Sequence, residues 1–332
     1  MRDQVASVVS LLSGGLRAGA PGSSGPLTLV PLFGGTPAPS YLLAGDALEA
    51  GLLTISELGD GSVPQLVADN RGDLPVLLLD GEHLEGAKQH RVLNVTVLLA
   101  PRHRTVIPVT CVEQGRWHYD ERSDFAVSPM AAYPRLRGLN KVAVARSARM
   151  SGGRQADQGA AWAEVELRAA ASPTGALRDH YEDRHRDLDA MLQDFRGPED
   201  GQTGVAACVA GRPMAVDAFD RPETLAKIWP RLISGYAADG LGRPAVPPDP
   251  GAVERFLTQA AAGEITSHEG VGLGMDVFLT SESSVGSCLL WQGSVVHLAL
   301  FARPDGGNGQ ISASPMASPR HRARLRRHFH AR

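Results

Sequence analysis

The stretch Gly81-Glu82-His83-Leu84-Glu85-Gly86-Ala87-Lys88-Gln89-His90-Arg91-Val92-Leu93-Asn94, with its sequel Cys111-Val112-Glu113-Gln114-Gly115-Arg116-Trp117, decides how this chain reads. The runs 87–99 and 105–117 are otherwise apolar. They flank a tight Pro101-Arg102-His103-Arg104 connection, the spacing of a β-hairpin. A turn at 102–103 sets Arg91 opposite Gln114, Gln89 opposite Arg116, Asn94 opposite Cys111 and Val92 opposite Glu113. Partner Cβ atoms would then lie about 5 Å apart. Ionisable and amide groups on a half-buried strand are costly unless paired. The cluster is therefore either a binding site or a structural polar network.

As a site it has coherent chemistry. Arg91 and Arg116 offer rigid donor forks that fit phosphate or carboxylate. Lys88 adds charge, and Gln89, Asn94 and Gln114 supply directional donors and acceptors. Glu82 and Glu113 are the candidates for an acid–base step. With Glu85 they are also oxygen donors suited to a divalent cation. As a structural network, Arg91 and Arg116 would instead neutralise Glu82 and Glu113. Cys111 reads as a buried, hydrophobe-like thiol rather than a nucleophile. His83 and His90 beside Glu82 match neither the His-Glu-x-x-His pattern nor a cupin pattern, so no metal ligand set is assigned.

Outward from this segment, the pattern is strand-dominated from Pro26 to about Ala145. Leu27–Phe33, Leu52–Leu58 and Pro75–Asp80 read as strands, and a short helix at Asp46–Glu49 stops at Gly51. Residues 1–25 read as an amphipathic helix and a Gly/Ser/Pro linker. The run Val5–Leu12 is short for a secretory signal, and Asp3 does not suit one. Residues 147–154 read as a loop. Helices follow, one marked by Trp162, Val165 and Ala169, another by Leu177, Tyr181, Leu188, Met191, Leu192 and Phe195.

Val205–Val209 and Pro213–Phe219 form a hairpin around Ala210-Gly211-Arg212. Asp220-Arg221-Pro222-Glu223 opens a helix with Leu225, Ile228, Trp229, Leu232, Ile233 and Tyr236 on one face. A further helix carries Val253, Phe256, Leu257 and Ala260. Strands close the chain at Asp276–Thr280, Ser287–Trp291 and Val295–Phe301. Gly270-Val271-Gly272-Leu273-Gly274 lacks the Lys-Ser/Thr of a phosphate loop and reads as a bend. His297 reads as a core or rim histidine.

The expectation is an α+β chain in one compact body: an N-terminal helix and linker (1–25), a β-rich part with the polar hairpin (26–145), an α+β part with a helical middle (146–305), and a disordered basic tail (306–332). With 43% hydrophobic residues among 332, a sizeable core is available. The net charge of −3 argues against nucleic acid as the main partner. The tail from Arg320 holds six arginines and no acid, which reads as a solvated end rather than an evolved ligand site. No apolar run approaches the roughly 18 residues of a membrane span. Cys111, Cys208 and Cys288 are far apart and read as reduced, buried thiols, which points to the cytoplasm.

Several strings resemble the ADP-ribosylglycohydrolase-and-rhodanese-phosphatase-associated protein domain, a bacterial family. They are Leu29–Phe33, Gly81-Glu82, Gly86–Asn94, Cys111–Trp117, Val216-Asp217-Ala218-Phe219-Asp220, Ile228-Trp229-Pro230, and Val295–Leu298 with Phe301. Here His90 stands where the family often has asparagine. By its name the resemblance implies a partner related to ADP-ribose or phosphate, and it carries no established activity. The functional expectation is a soluble protein that binds a small phosphate-bearing, nucleotide-like molecule. It would hydrolyse that molecule or transfer a group from it if it is an enzyme. A non-enzymatic scaffold or regulatory protein is the alternative, and no cofactor is assigned.

Overall fold

The computed structural model describes residues 2–113, 119, 124–168 and 176–304. Glycine- and proline-punctuated apolar runs give short strands, and the chain is α+β. Helix α1 (Arg2–Ser10) and a π-turn (Leu11–Gly15) lead to β1 (Arg17–Ala18), β2 (Gly22–Ser24) and β3 (Leu27–Phe33). Then come β4 (Leu42–Leu43), α2 (Ala44–Glu49), β5 (Leu53–Glu57), β6 (Gln65–Asn70) and β7 (Val76–Leu78). The polar segment holds β8 (His83–Gly86), β9 (Arg91–Leu93), β10 (Val97–Leu99), β11 (His103–Cys111) and β12 (Phe125–Val127). Helices α3 (Pro134–Ser151), α4 (Gln158–Arg168), α5 (Leu177–Glu182) and α6 (His185–Leu192) follow. The last part is β13 (Gly204–Val209), β14 (Arg212–Phe219), α7 (Pro222–Gly240), α8 (Ala252–Ala261), β15 (Glu264–Glu269), β16 (Met275–Thr280), β17 (Ser284–Trp291) and β18 (Ser294–Ala302).

A nine-stranded sheet runs β1-β3-β13-β14-β18-β17-β16-β15, with β2 also on β3. Residues 17–18 and 22–24, read from sequence as linker, pair along β3 instead. The period of two sends alternate residues to opposite faces. Val205, Ala207 and Val209 join one core with α7, while Ala206 and Cys208 join another with α1 and α8. Both faces of β13 are covered, which is why that strand has no polar side chain other than the Cys208 thiol. Two smaller sheets, β10-β7-β4 and β12-β8-β9-β11-β6-β5, enclose a third core with α2 and one side of α3.

The expected simple hairpin is not formed. Strand β11 spends His103–Pro108 on β6 and meets β9 only at its end, where Arg91 faces Cys111 and Val92 faces Thr110. The pairing is three residues from the expected one, so Arg91 faces Cys111 rather than Gln114. The physical reason is that the chain leaves β9 at Asn94 and gives β10 to β7 in another sheet. The expected long helix at 177–195 is also interrupted, between α5 and α6.

Helix α3 is the larger departure, since the sequence read as strand up to Ala145 and as loop from Ser147. Pro134 occupies its first turn, and Gly152, at φ +70°, ends it with its N–H on Ala148 O. Its inward positions include Arg137, Asn140, Lys141, Val144 and Ala148. That is helical spacing, but three of the five are polar, so no apolar stripe announces the helix.

Candidate functional site

Arg137 is the hub of a buried polar network. Its Nε donates to Asp80 Oδ1 at 3.0 Å, and its terminal nitrogens donate to both Asp217 oxygens at 2.9 and 2.7 Å. Lys141, one turn further along α3, binds the other Asp80 oxygen. It also donates to Asn94 O at 2.9 Å and Ser287 Oγ at 3.0 Å. The Tyr236 hydroxyl donates to Asp217 Oδ2 at 2.5 Å. His297 Nε2 lies 2.9 Å from Asp217 Oδ1, and its Nδ1 lies 2.6 Å from Thr96 Oγ1. Thr96 Oγ1 accepts the Asp80 N–H at 3.1 Å.

The sheet register explains the convergence. Asp217 faces Ala299 and Phe219 faces His297 across β14 and β18, so Asp217, His297 and Phe301 share one face. The Arg137 guanidinium lies over the Phe301 ring, 4.5 Å from its centroid, and the His297 ring stacks on Phe219. Burial alone would raise the Asp217 carboxyl, but Arg137 and His297 outweigh it and hold the group well below the usual carboxylate range. Burial, reinforced by Asp217, pushes the Tyr236 phenol far above its usual range.

Beside this network Glu82, His83, Ser128, Met130, Arg231 and His297 line a cavity of about 20 Å³, room for about one water. Met130 and Arg231 form its half-buried rim. Glu82 Oε1 lies 3.0 Å from Arg231 Nη2 without hydrogen-bond alignment. Its other oxygen accepts the Leu79 N–H at 3.2 Å. Burial raises the Glu82 carboxyl despite Arg231, so it keeps its proton to higher pH than a free acid. Gly81 makes the approach possible: its φ is +76°, and a Cβ there would stand 2.4 Å from Arg137 Nε.

Of the residues expected from sequence, Gln89, Arg91 and Glu113 come together. Gln89 Nε2 donates to Glu113 O at 3.0 Å, Arg91 Nη1 to Gln89 Oε1 at 3.2 Å, and the His90 N–H to Glu113 Oε2 at 3.1 Å. Arg91 is fully buried, with Glu57 Oε1 4.0 Å from its Nη2. Lys88 Nζ donates to Asp60 O and lies 5.4 Å from the Tyr119 ring centroid. Burial raises the Cys111 thiol, in keeping with the hydrophobe-like reading.

Glu82 and Asn94 stand apart from that group. Glu82 belongs to the Arg231 recess. The Asn94 side chain donates to Arg154 O at 3.0 Å and accepts from Thr110 at 2.5 Å. Gln114 and Arg116 lie outside the described residues, as does the tail 306–332. His83, Glu85 and His90 each bring a donor atom within 4.8 Å of the others, a grouping that the pairing of His83 and His90 with Glu82 did not anticipate.

The sequence reading missed Asp80, Arg137, Lys141, Asp217 and Arg231. A signal existed for Asp217, because strict alternation along Ala215-Val216-Asp217-Ala218-Phe219 puts its carboxylate on the same face as Ala215 and Phe219. Arg137 and Lys141 had none, because the helix that carries them was not legible.

No described helix is long and apolar enough to cross a membrane. No curated protein and no solved structure matches the chain. Strings that carried the family resemblance, separated widely in sequence, meet here: Gly81-Glu82, the Asp217 string, and His297 with Phe301. The model of the ARG and Rhodanese-Phosphatase-superfamily-associated Protein domain matches residues 15–301, and the chain belongs to that family.

Proposed function

We propose that the protein binds a small phosphate-bearing, nucleotide-like molecule of the ADP-ribose class, with a phosphate at the Glu82–Arg231 recess. The observation that supports this most is a half-buried guanidinium 3.0 Å from a buried carboxyl that burial holds above its ordinary pKa. Arg231 contributes a donor fork for phosphate oxygens, and Ser128 contributes a hydroxyl at the same recess. The cavity accepts a phosphoryl oxygen in place of a water, while the rest of the ligand lies outside past Met130. Glu82 is suited to act as general acid, giving its proton to a leaving oxygen while water adds at the phosphoryl or glycosidic centre, the proton of that water then returning to the Glu82 carboxylate. Gln89, Arg91 and Glu113 are buried, so of the described hairpin residues expected to bind the ligand only the partly exposed Lys88 stays as a further candidate contact. Three free, buried cysteines fit a reducing compartment, and we take the cytoplasm as the setting.

A second reading is favoured by the Arg137 network, whose ion pairs are matched and buried. On that reading the polar core is architectural and the protein is a scaffold or regulator. A thermal-shift panel of ADP-ribose, ADP, AMP and inorganic phosphate separates the two. Ligand binding predicts a shift for at least one nucleotide that Arg231→Gln abolishes without unfolding the chain. The scaffold reading predicts no shift across the panel.

A further inference from the structure

We propose that His83, Glu85 and His90 form a binding site for one divalent transition-metal ion of the zinc class. The register explains their meeting. Strands β8 and β9 pair His83 with Val92 and Leu84 with Arg91. Continued by one step, that register puts Glu85 opposite His90. His83 and Glu85, two apart on one strand, share a face. Three donor-bearing side chains thus converge from a two-stranded ribbon, and their donor atoms lie within 4.8 Å of one another. Donor atoms of a tetrahedral zinc site lie roughly 3.3 Å apart, so the ion needs only a modest inward movement of three side chains.

His83 is the second, independent observation. Its side chain is 1% exposed, and neither ring nitrogen makes a hydrogen bond among the described residues. A buried imidazole without partners is costly, and a metal ion would satisfy it. Nδ1 lies 3.6 Å from Glu85 Oε1, so it is turned toward the cluster.

The surroundings fit a site that exchanges its ion. Glu113 Oε2 lies 3.5 Å from His90 Nε2, in the manner of an outer carboxylate that fixes a metal-bound ring. Arg178 Nη1 lies 3.9 Å from the other Glu85 oxygen, Oε2. The Glu85 side chain is 24% exposed, which leaves a path for the ion. Two imidazoles with one carboxylate suit zinc and its neighbours rather than magnesium or calcium, which prefer oxygen donors. The proposal does not depend on the Glu82–Arg231 recess, although His83 borders both.

The test is competition for Zn²⁺ between the full-length chain and a chromophoric chelator, together with the visible spectrum of the Co²⁺ form. One ion per chain is expected. Glu85→Gln and His90→Gln should each weaken binding by more than about 100-fold, beyond the usual cost of losing an outer-shell partner. Glu85 is partly exposed, so its variant carries the test if His90→Gln misfolds. Arg231→Gln should leave zinc affinity unchanged even if it abolishes nucleotide binding. Unchanged affinity in Glu85→Gln, or loss of binding only when His321, His328 and His330 of the tail are replaced, would overturn the assignment.

Discussion

Arg137→Met removes the hub of the buried network while keeping most of the side-chain volume. In the native protein Arg137 contributes one bond to Asp80 and two to Asp217. Without it Asp80 keeps Lys141, and Asp217 keeps Tyr236 and His297. Breaking a buried ion pair from one side typically costs about 3–5 kcal/mol, because the remaining charge is left uncompensated. Unfolding entropy of roughly 2.1 cal/mol/K per residue gives a chain of this length about 0.7 kcal/mol/K. The expected fall in Tm is therefore about 4–7 °C by calorimetry or circular dichroism. A second signature concerns acid. Asp217 has a depressed pKa in the native state, so its contribution is present above the unfolded carboxylate pKa and is lost as pH falls. In Arg137→Met that contribution shrinks, and the Tm deficit should be large at pH 7 and narrow toward pH 3. A Tm equal to or above wild type at pH 7, or a deficit that does not narrow in acid, would refute the reasoning.

Glu82 has a raised native pKa, so its contribution is complete below the unfolded value near 4.5 and declines as pH rises. Glu82→Gln should therefore gain stability relative to wild type as pH rises above about 4.5 in urea titrations, and an offset that does not change with pH would contradict the burial argument. His83 behaves in the opposite sense with respect to acid: its native pKa of about 3 lies below the unfolded 6.5. The native state accordingly loses stability as pH falls from 6.5, and His83→Gln should flatten that limb in metal-free buffer. Gly81→Ala should destabilise by more than about 1–3 kcal/mol, since it adds a left-handed backbone penalty to a collision with Arg137. Chemical denaturation measures it, and a loss below 1 kcal/mol would mean that Arg137 swings aside freely.

Much of the fold was legible where one periodicity held. The helix from Pro222 shows Leu225, Ile228, Trp229, Leu232, Ile233 and Tyr236, all buried, and no competing pattern. The β13–β14 hairpin and the closing strands were equally plain. Legibility failed where polar residues occupy core positions. On α3 the inward Arg137, Asn140 and Lys141 make a helix look like surface or loop. In the hairpin the spacing of Pro101–Arg104 suggested a tight return, but local spacing cannot report that β10 leaves for another sheet. The polar cluster of the hairpin was partly visible because Gln89, Arg91 and Glu113 are close in sequence or across neighbouring strands. Arg231 and Asp217 join Glu82 and Arg137 only through tertiary packing, and no local pattern encodes that meeting. Glu85 was read as a cation donor but not joined to His83 and His90, because the histidines were judged by motif spacing; strand alternation puts His83 and Glu85, not Glu82, on one face.

The central claim is that phosphate enters the recess between Glu82 and Arg231. Phosphorus NMR of ADP-ribose titrated with the protein observes that contact directly. Saturable shift or broadening of a phosphate resonance is expected with wild type, and none with Arg231→Gln of unchanged Tm. Phosphorus resonances that stay unperturbed for every nucleotide tried, or that respond equally to both proteins, would contradict it.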